Sequence, residues 1–118
     1  MTLAELRTRL GEDGLTIIDV RSPHEYEGHT GAHCDPRQGH IPGAVNVPIE
    51  EIFHCHSVEE VRALVGLPEG AEVIAYCHSG SRSGFAVQVL HEAGYAARNY
   101  AGSWHEWSRD PGLPTVPQ

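Results

Sequence analysis

Val73-Ile74-Ala75-Tyr76-Cys77-His78-Ser79-Gly80-Ser81-Arg82-Ser83-Gly84-Phe85-Ala86-Val87-Gln88-Val89-Leu90 joins an apolar run to a polar, glycine-containing turn and then to a segment of helical period. Val73 to Tyr76 read as a strand buried on both faces, as in parallel sheets. Phe85, Ala86, Val89, Leu90 and Ala93 then recur at helical spacing until Gly94 stops them. Cys77 therefore falls at the carboxyl end of a central strand and ahead of a helix, which is where open parallel sheets bind ligands.

A loop in that place turns successive backbone N–H groups inward. With the helix dipole and Arg82 nearby, it stabilises an anion at its centre. The same field lowers the pKa of a thiol and raises its thiolate fraction at neutral pH. Gly80 permits backbone angles that other residues resist, and Ser79, Ser81 and Ser83 offer hydroxyls without filling the space. His78 is expected at the rim, guiding anions or acceptors. A free cysteine is more often a small core hydrophobe, but the polar loop and the helix behind it favour a nucleophile at Cys77.

Working outward, Thr2 caps a short helix carrying Leu3, Leu6 and Leu10, closed by Gly11 and Gly14. Leu15 to Val20 is a second buried-strand run, ending in Asp19-Val20-Arg21. Ser22 to Gly43 shows no sustained period and reads as a long loop. Ala44 to Val47 is a short strand, Val58 to Val65 a helix ended by Gly66 and Pro68, and Arg98 to Tyr100 another strand. Gly102 to Trp107 reads as a turn or short helix, and the chain from Pro111 as a terminus with little structure. Strands alternating with helices imply an α/β fold: an open parallel sheet flanked by helices on both faces.

The chain has 118 residues, 40% of them apolar, enough for one core. Asp and Glu total 16 against 8 basic residues, all arginine, for a formal charge of -8. That balance disfavours broad binding to nucleic acid or to anionic membranes. The residues present contain no targeting signal and no apolar run of membrane-spanning length, and a cytoplasmic location is expected. Cys34, Cys55 and Cys77 are odd in number and widely spaced, which fits free thiols in a reducing compartment.

Four segments in register resemble rhodanese domains: Asp19-Val20-Arg21, Gly39 to Pro48 (GHIPGAVNVP), Tyr76 to Ser83 (YCHSGSRS) and Tyr100 to Trp107 (YAGSWHEW). The resemblance covers about Leu3 to Trp107, which suggests a rhodanese domain over 1–110 and a tail over 111–118. It implies a sulfurtransferase that takes a sulfane sulfur from a small anionic donor such as thiosulfate as a Cys77 persulfide. The sulfur then passes to cyanide, a thiol or a sulfur-accepting protein. His78, Ser79, Gly80, Ser81, Arg82 and Ser83 would bind the substrate, with no cofactor and no metal.

The stretch between Glu25-Tyr26 and Gly39 is longer than in the commonest single-domain members. It is similar to the catalytic half of two-domain thiosulfate and mercaptopyruvate sulfurtransferases. From that half, Arg37 inherits an expected role in binding the anionic substrate, while Glu25 stands near the place of a second family arginine. Arg82 follows a serine where the mercaptopyruvate type has a small or β-branched pair, so thiosulfate or a persulfide is the preferred donor.

Several residues carry two readings. Asp19 and Arg21 are expected as a structural ion pair, His40 and Asn46 as loop ties, and Trp104 and Trp107 as packing over the sheet end. His29, His33 and Cys34 could join His54, Cys55 and His56 around zinc, but the spacing is not that of a finger, so exposed loop histidines are expected. Cys34 or Cys55 could act as a resolving thiol if the fold brings either to Cys77. A cysteine phosphatase or arsenate reductase is the competing enzyme. Its signature loop has five residues between Cys and Arg, and here there are four. A non-catalytic binding or sulfur-carrier module is the third reading.

Overall fold

A computed structural model describes residues 1–117. Helix α1 (Leu3–Arg9) leads to strand β1 (Leu15–Asp19), helix α2 (Pro23–Glu27) and strand β2 (Val45–Asn46). Helices α3 (Ile49–Phe53) and α4 (Val58–Val65), strand β3 (Glu72–Tyr76), helix α5 (Ser81–Glu92), strand β4 (Ala96–Asn99) and helix α6 (Ser103–Trp107) follow. The strands form a parallel sheet in the order β2-β1-β3-β4, with Asp19 paired to Tyr76 and to Asn46.

Alternation along the two central strands divides the core. Ile18, Val20, Val73 and Cys77 face α3, α4 and α5, where Ile49, Ile52, Val61, Ala86 and Leu90 pack. Ile17, Ile74 and Tyr76 face the other way, toward Leu6 of α1, Trp104 and Trp107 of α6, and Leu113. Helices therefore cover both faces, as expected for a parallel sheet. No helix among the described residues is long and apolar enough to cross a membrane.

The structure corrects the sequence reading in several places. The long loop after Arg21 opens as helix α2, because Ser22 and Glu25 form a reciprocal capping box, Pro23 occupies the first turn and Gly28 closes the end with φ 85°. Helix α3 lay unread between Pro48 and His54, its two buried residues, Ile49 and Ile52, being too few to show a period. The C-terminal stretch forms no helix but is packed down: Leu113 and Thr115 are buried, Trp107 Nε1 donates to Pro114 O at 2.8 Å, and Val116 pairs with His40.

Beneath the sheet end, Arg21 and Asp19 are fully buried. Arg21 Nε donates to Asp19 Oδ1 at 3.0 Å, and its Nη2 donates to Asp19 Oδ2 at 2.7 Å and to Gly39 O at 2.6 Å. The guanidinium also lies 5.7 Å from the centre of the Tyr76 ring and 5.1 Å from that of Trp104. Asn46 Nδ2 donates to the carbonyls of Asp19 and Arg21, while His40 stacks on Tyr26 at 3.7 Å and meets Tyr26 O through Nδ1. These are the structural roles expected of the four residues.

Candidate active site

Strand β3 delivers Cys77 to the sheet's carboxyl edge, and the chain turns into α5 within three residues. Gly80 makes that turn at φ 97°, and a Cβ there would stand 2.7 Å from Ala101 O, so both conformation and space demand glycine. Helix α5 starts at Ser81, earlier than the apolar spacing suggested, which places Arg82 and Ser83 in its first turn. The first-turn amides are then free to aim at the sulfur: Gly80 N lies 3.1 Å from Cys77 Sγ and Ser83 N 3.5 Å.

Cys77 is 1% exposed. Burial pushes its thiol pKa up, but the Ser83 hydroxyl and the amides of Ser83, Gly80 and Ser79 outweigh it and hold the pKa below the ordinary value. The Ser83 hydroxyl has one proton and three neighbours: Asn99 Oδ1 at 2.7 Å, Gly80 O at 3.3 Å and Cys77 Sγ at 3.4 Å. The shortest contact holds that proton on Asn99 until charge on the sulfur draws it over. Ser83→Ala therefore shifts the pH profile of Cys77 alkylation to higher pH and slows alkylation at neutral pH severalfold. Iodoacetamide rates in chelator-treated protein measure this, and an unmoved profile would remove Ser83 from the cradle.

Two supporting residues escaped the sequence reading. Ser103 Oγ accepts from Cys77 N at 3.1 Å and donates to Tyr100 O at 2.9 Å, from a residue held at φ 55°. A non-glycine residue in that region is uncommon. Asn99 Nδ2 donates to Gly80 O at 3.1 Å, tying the loop to β4. Only the Gly-Ser-Trp segment carried any signal for Ser103.

The other predicted residues are distributed differently. Ser79 and Ser81 are exposed at the mouth. Arg82 is half-buried and held by Glu25, through Nη1 to Oε1 at 3.1 Å and Nη2 to Oε2 at 3.4 Å. Burial pushes the Glu25 pKa up, but the hydrogen bonds from Arg82 and Ser22 with the charges of Arg82 and Arg21 hold it below the ordinary value. Arg37 departs from the substrate role expected of it. Its guanidinium donates to the carbonyls of Ser108, Leu113, Trp107 and Asp110 at 2.7–3.3 Å. These bonds anchor α6 and the C-terminal stretch, whose packing was invisible to the sequence reading.

The histidines at 29, 33, 54 and 56 are exposed, and no cluster joins the two groups considered for zinc among the described residues. Cys34, Cys55 and Cys77 are free thiols. Cys55 lines a separate cleft of about 390 Å³ with Phe53, Val58 and Phe85, which contains none of the predicted site residues.

A parallel α/β sheet here presents a cysteine to N–H groups at the opening of a helix, an arrangement that favours negative charge on its sulfur. Residues 2–110 match the family model of the rhodanese-like domain, and the chain belongs to that family. It is 35% identical to the "Thiosulfate sulfurtransferase" of Pseudomonas aeruginosa, over 92% of this chain and 42% of that protein. It is 37% identical to the "Sulfur carrier protein TtuD" of Thermus thermophilus, over 83% of this chain and 40% of that protein. The crystal structure of a "Probable Thiosulfate Sulfurtransferase" superposes with a TM-score of 0.82 at 45% identity, covering 98% of this chain and 46% of that one. The chain thus spans about two-fifths of the length of the curated relatives it matches.

Proposed function

We propose that this domain is a sulfurtransferase that carries a sulfane sulfur on Cys77, with thiosulfate as a competent donor. The Cys77 thiolate attacks the outer sulfur of thiosulfate, the S–S bond of the donor breaks, and sulfite leaves with the bonding pair. The terminal sulfur of the resulting persulfide is then attacked by cyanide or a thiolate, which restores the Cys77 thiolate. The observation that carries this reading is the pair of amides, Gly80 N and Ser83 N, aimed at Sγ from the opening of α5. Such fixed donors favour negative charge on the sulfur before and after transfer without reorganising. The relatives named thiosulfate sulfurtransferase support the reaction class, and the one named as a sulfur carrier favours a protein as one acceptor. The length of the loop weighs against a phosphatase, since four residues rather than five separate Cys77 from Arg82.

Intact-protein mass spectrometry tests the cycle. Brief thiosulfate treatment adds one sulfur, about 32 Da, and cyanide removes it; no adduct with thiosulfate or any other sulfane donor ends the proposal.

Glu25 also sets donor affinity, because its carboxylate neutralises Arg82 beside the loop. Glu25→Gln keeps the helix cap, since glutamine completes a capping box as well, and frees the arginine charge for a dianion. The KM for thiosulfate falls severalfold with little change in kcat. Steady-state kinetics check this, and an unchanged KM would place Arg82 outside the donor site.

A further inference from the structure

We propose that Cys34, Asp35, His78 and His105 form a site for one divalent transition metal of the zinc class, at the rim of the Cys77 loop. Their ligand atoms all lie within 4.8 Å of one another. His78 Nε2 stands 3.0 Å from Asp35 Oδ2, and His105 Nδ1 stands 3.4 Å from Asp35 Oδ1. Zinc bonds of about 2.0–2.3 Å in a tetrahedron set ligand atoms about 3.3–3.8 Å apart, so small side-chain adjustments close the shell.

The second observation is Asp35 itself. Its side chain has no exposed surface, and Arg109 Nη1 holds Oδ1 at 2.8 Å. Oδ2 is buried without a hydrogen-bond partner, and so is His78 Nε2, although the two face each other. Their close approach lacks the angles of a hydrogen bond. Buried polar atoms are nearly always satisfied, and two orphans converging beside a thiol and a second imidazole are what a shared cation would resolve. A protonated His78 paired with Asp35 is the competing account.

Charge and chemistry also agree. The Cys34 thiolate and Asp35 carboxylate balance a dication, and two neutral imidazoles complete an N₂OS set that suits zinc or cobalt rather than magnesium or calcium. Arg109 orients the acid and also donates to Cys34 O, while His105 N donates to His78 O at 2.9 Å, fixing the two histidine backbones. A bound ion would join the 33–37 stretch, the nucleophile loop and α6. The site shares only Cys34 with the zinc grouping considered in the sequence and does not depend on sulfur transfer.

The test uses the full chain after chelator treatment, titrated with Co(II) and then Zn(II). One equivalent binds, with tetrahedral d–d bands and a thiolate-to-cobalt charge-transfer band, and Zn(II) raises the melting temperature. Cys34→Ser and His105→Ala alter exposed residues, so their metal-free melting is unchanged, yet affinity falls at least tenfold and Cys34→Ser loses the charge-transfer band. Cys77→Ser and Cys55→Ser retain both. The proposal is overturned by substoichiometric binding in the wild type, or by a charge-transfer band that survives Cys34→Ser. Persistence of the His78–Asp35 contact without metal uptake leaves the protonated pair as the explanation.

Discussion

Cys77→Ser lowers the rate of sulfur transfer from thiosulfate to cyanide by about 10⁴-fold or more, while the domain stays folded. The serine hydroxyl is isosteric enough to keep the N–H cradle, but it does not ionise near neutral pH, and oxygen cannot carry a sulfane sulfur as a persulfide. Neither other cysteine replaces it: Cys55 faces a separate cleft, and Cys34, though clustered with His78 at the rim of the loop, is not the sulfur at which Gly80 N and Ser83 N are aimed. The thiol of Cys55 is pushed up by burial and by Glu60 and Glu51, which further separates it from the activated one. Thiocyanate formation, read beside circular dichroism, measures the effect. Residual activity above a few per cent would mean that another thiol accepts the sulfur and that the cradle is not its site.

The largest effect on stability comes from Asp19→Asn. Arg21 is 1% exposed and its guanidinium is matched by both Asp19 carboxylate oxygens. Removing the charge strands a buried cation, at a cost of about 3–5 kcal/mol, a large part of the roughly 5–15 kcal/mol that holds such a domain folded. The aromatic faces of Tyr76 and Trp104 and the Gly39 carbonyl remain as partners and keep the loss from being larger. Urea denaturation reads the change directly. The double variant Asp19→Asn with Arg21→Met recovers part of the loss, because neither charge is then left alone. A single-variant cost under about 1 kcal/mol would show that the pair behaves like a surface contact.

The sheet and the nucleophile loop were legible because their signals are local. An apolar run such as Val73 to Tyr76 carries strand burial in consecutive residues, and Gly66 marks a helix end through contacts within a turn. Cys77 could be placed at the strand end for the same reason. Helices α2 and α3 escaped because five residues are too short to display a period.

Long-range pairing obeyed no such local rule. Arg37 could be assigned to the anion only by family resemblance, and the fold gives its donors to carbonyls some seventy residues away. Arg82 lies five residues from the nucleophile in the chain, yet Glu25, 57 residues distant, decides where its charge goes. Ser103 and Asn99 reach the loop from β4 and the turn into α6, and Asp35 meets His78 and His105 only because the packed insert and α6 come together. By itself the sequence determined the parallel α/β sheet, its two buried faces and a cysteine at the head of a helix, since these rest on periodicity and on hydrogen bonds spanning a few residues. Tertiary structure alone decided which charges meet and which donors face the sulfur, because those contacts form only when distant segments close on one another.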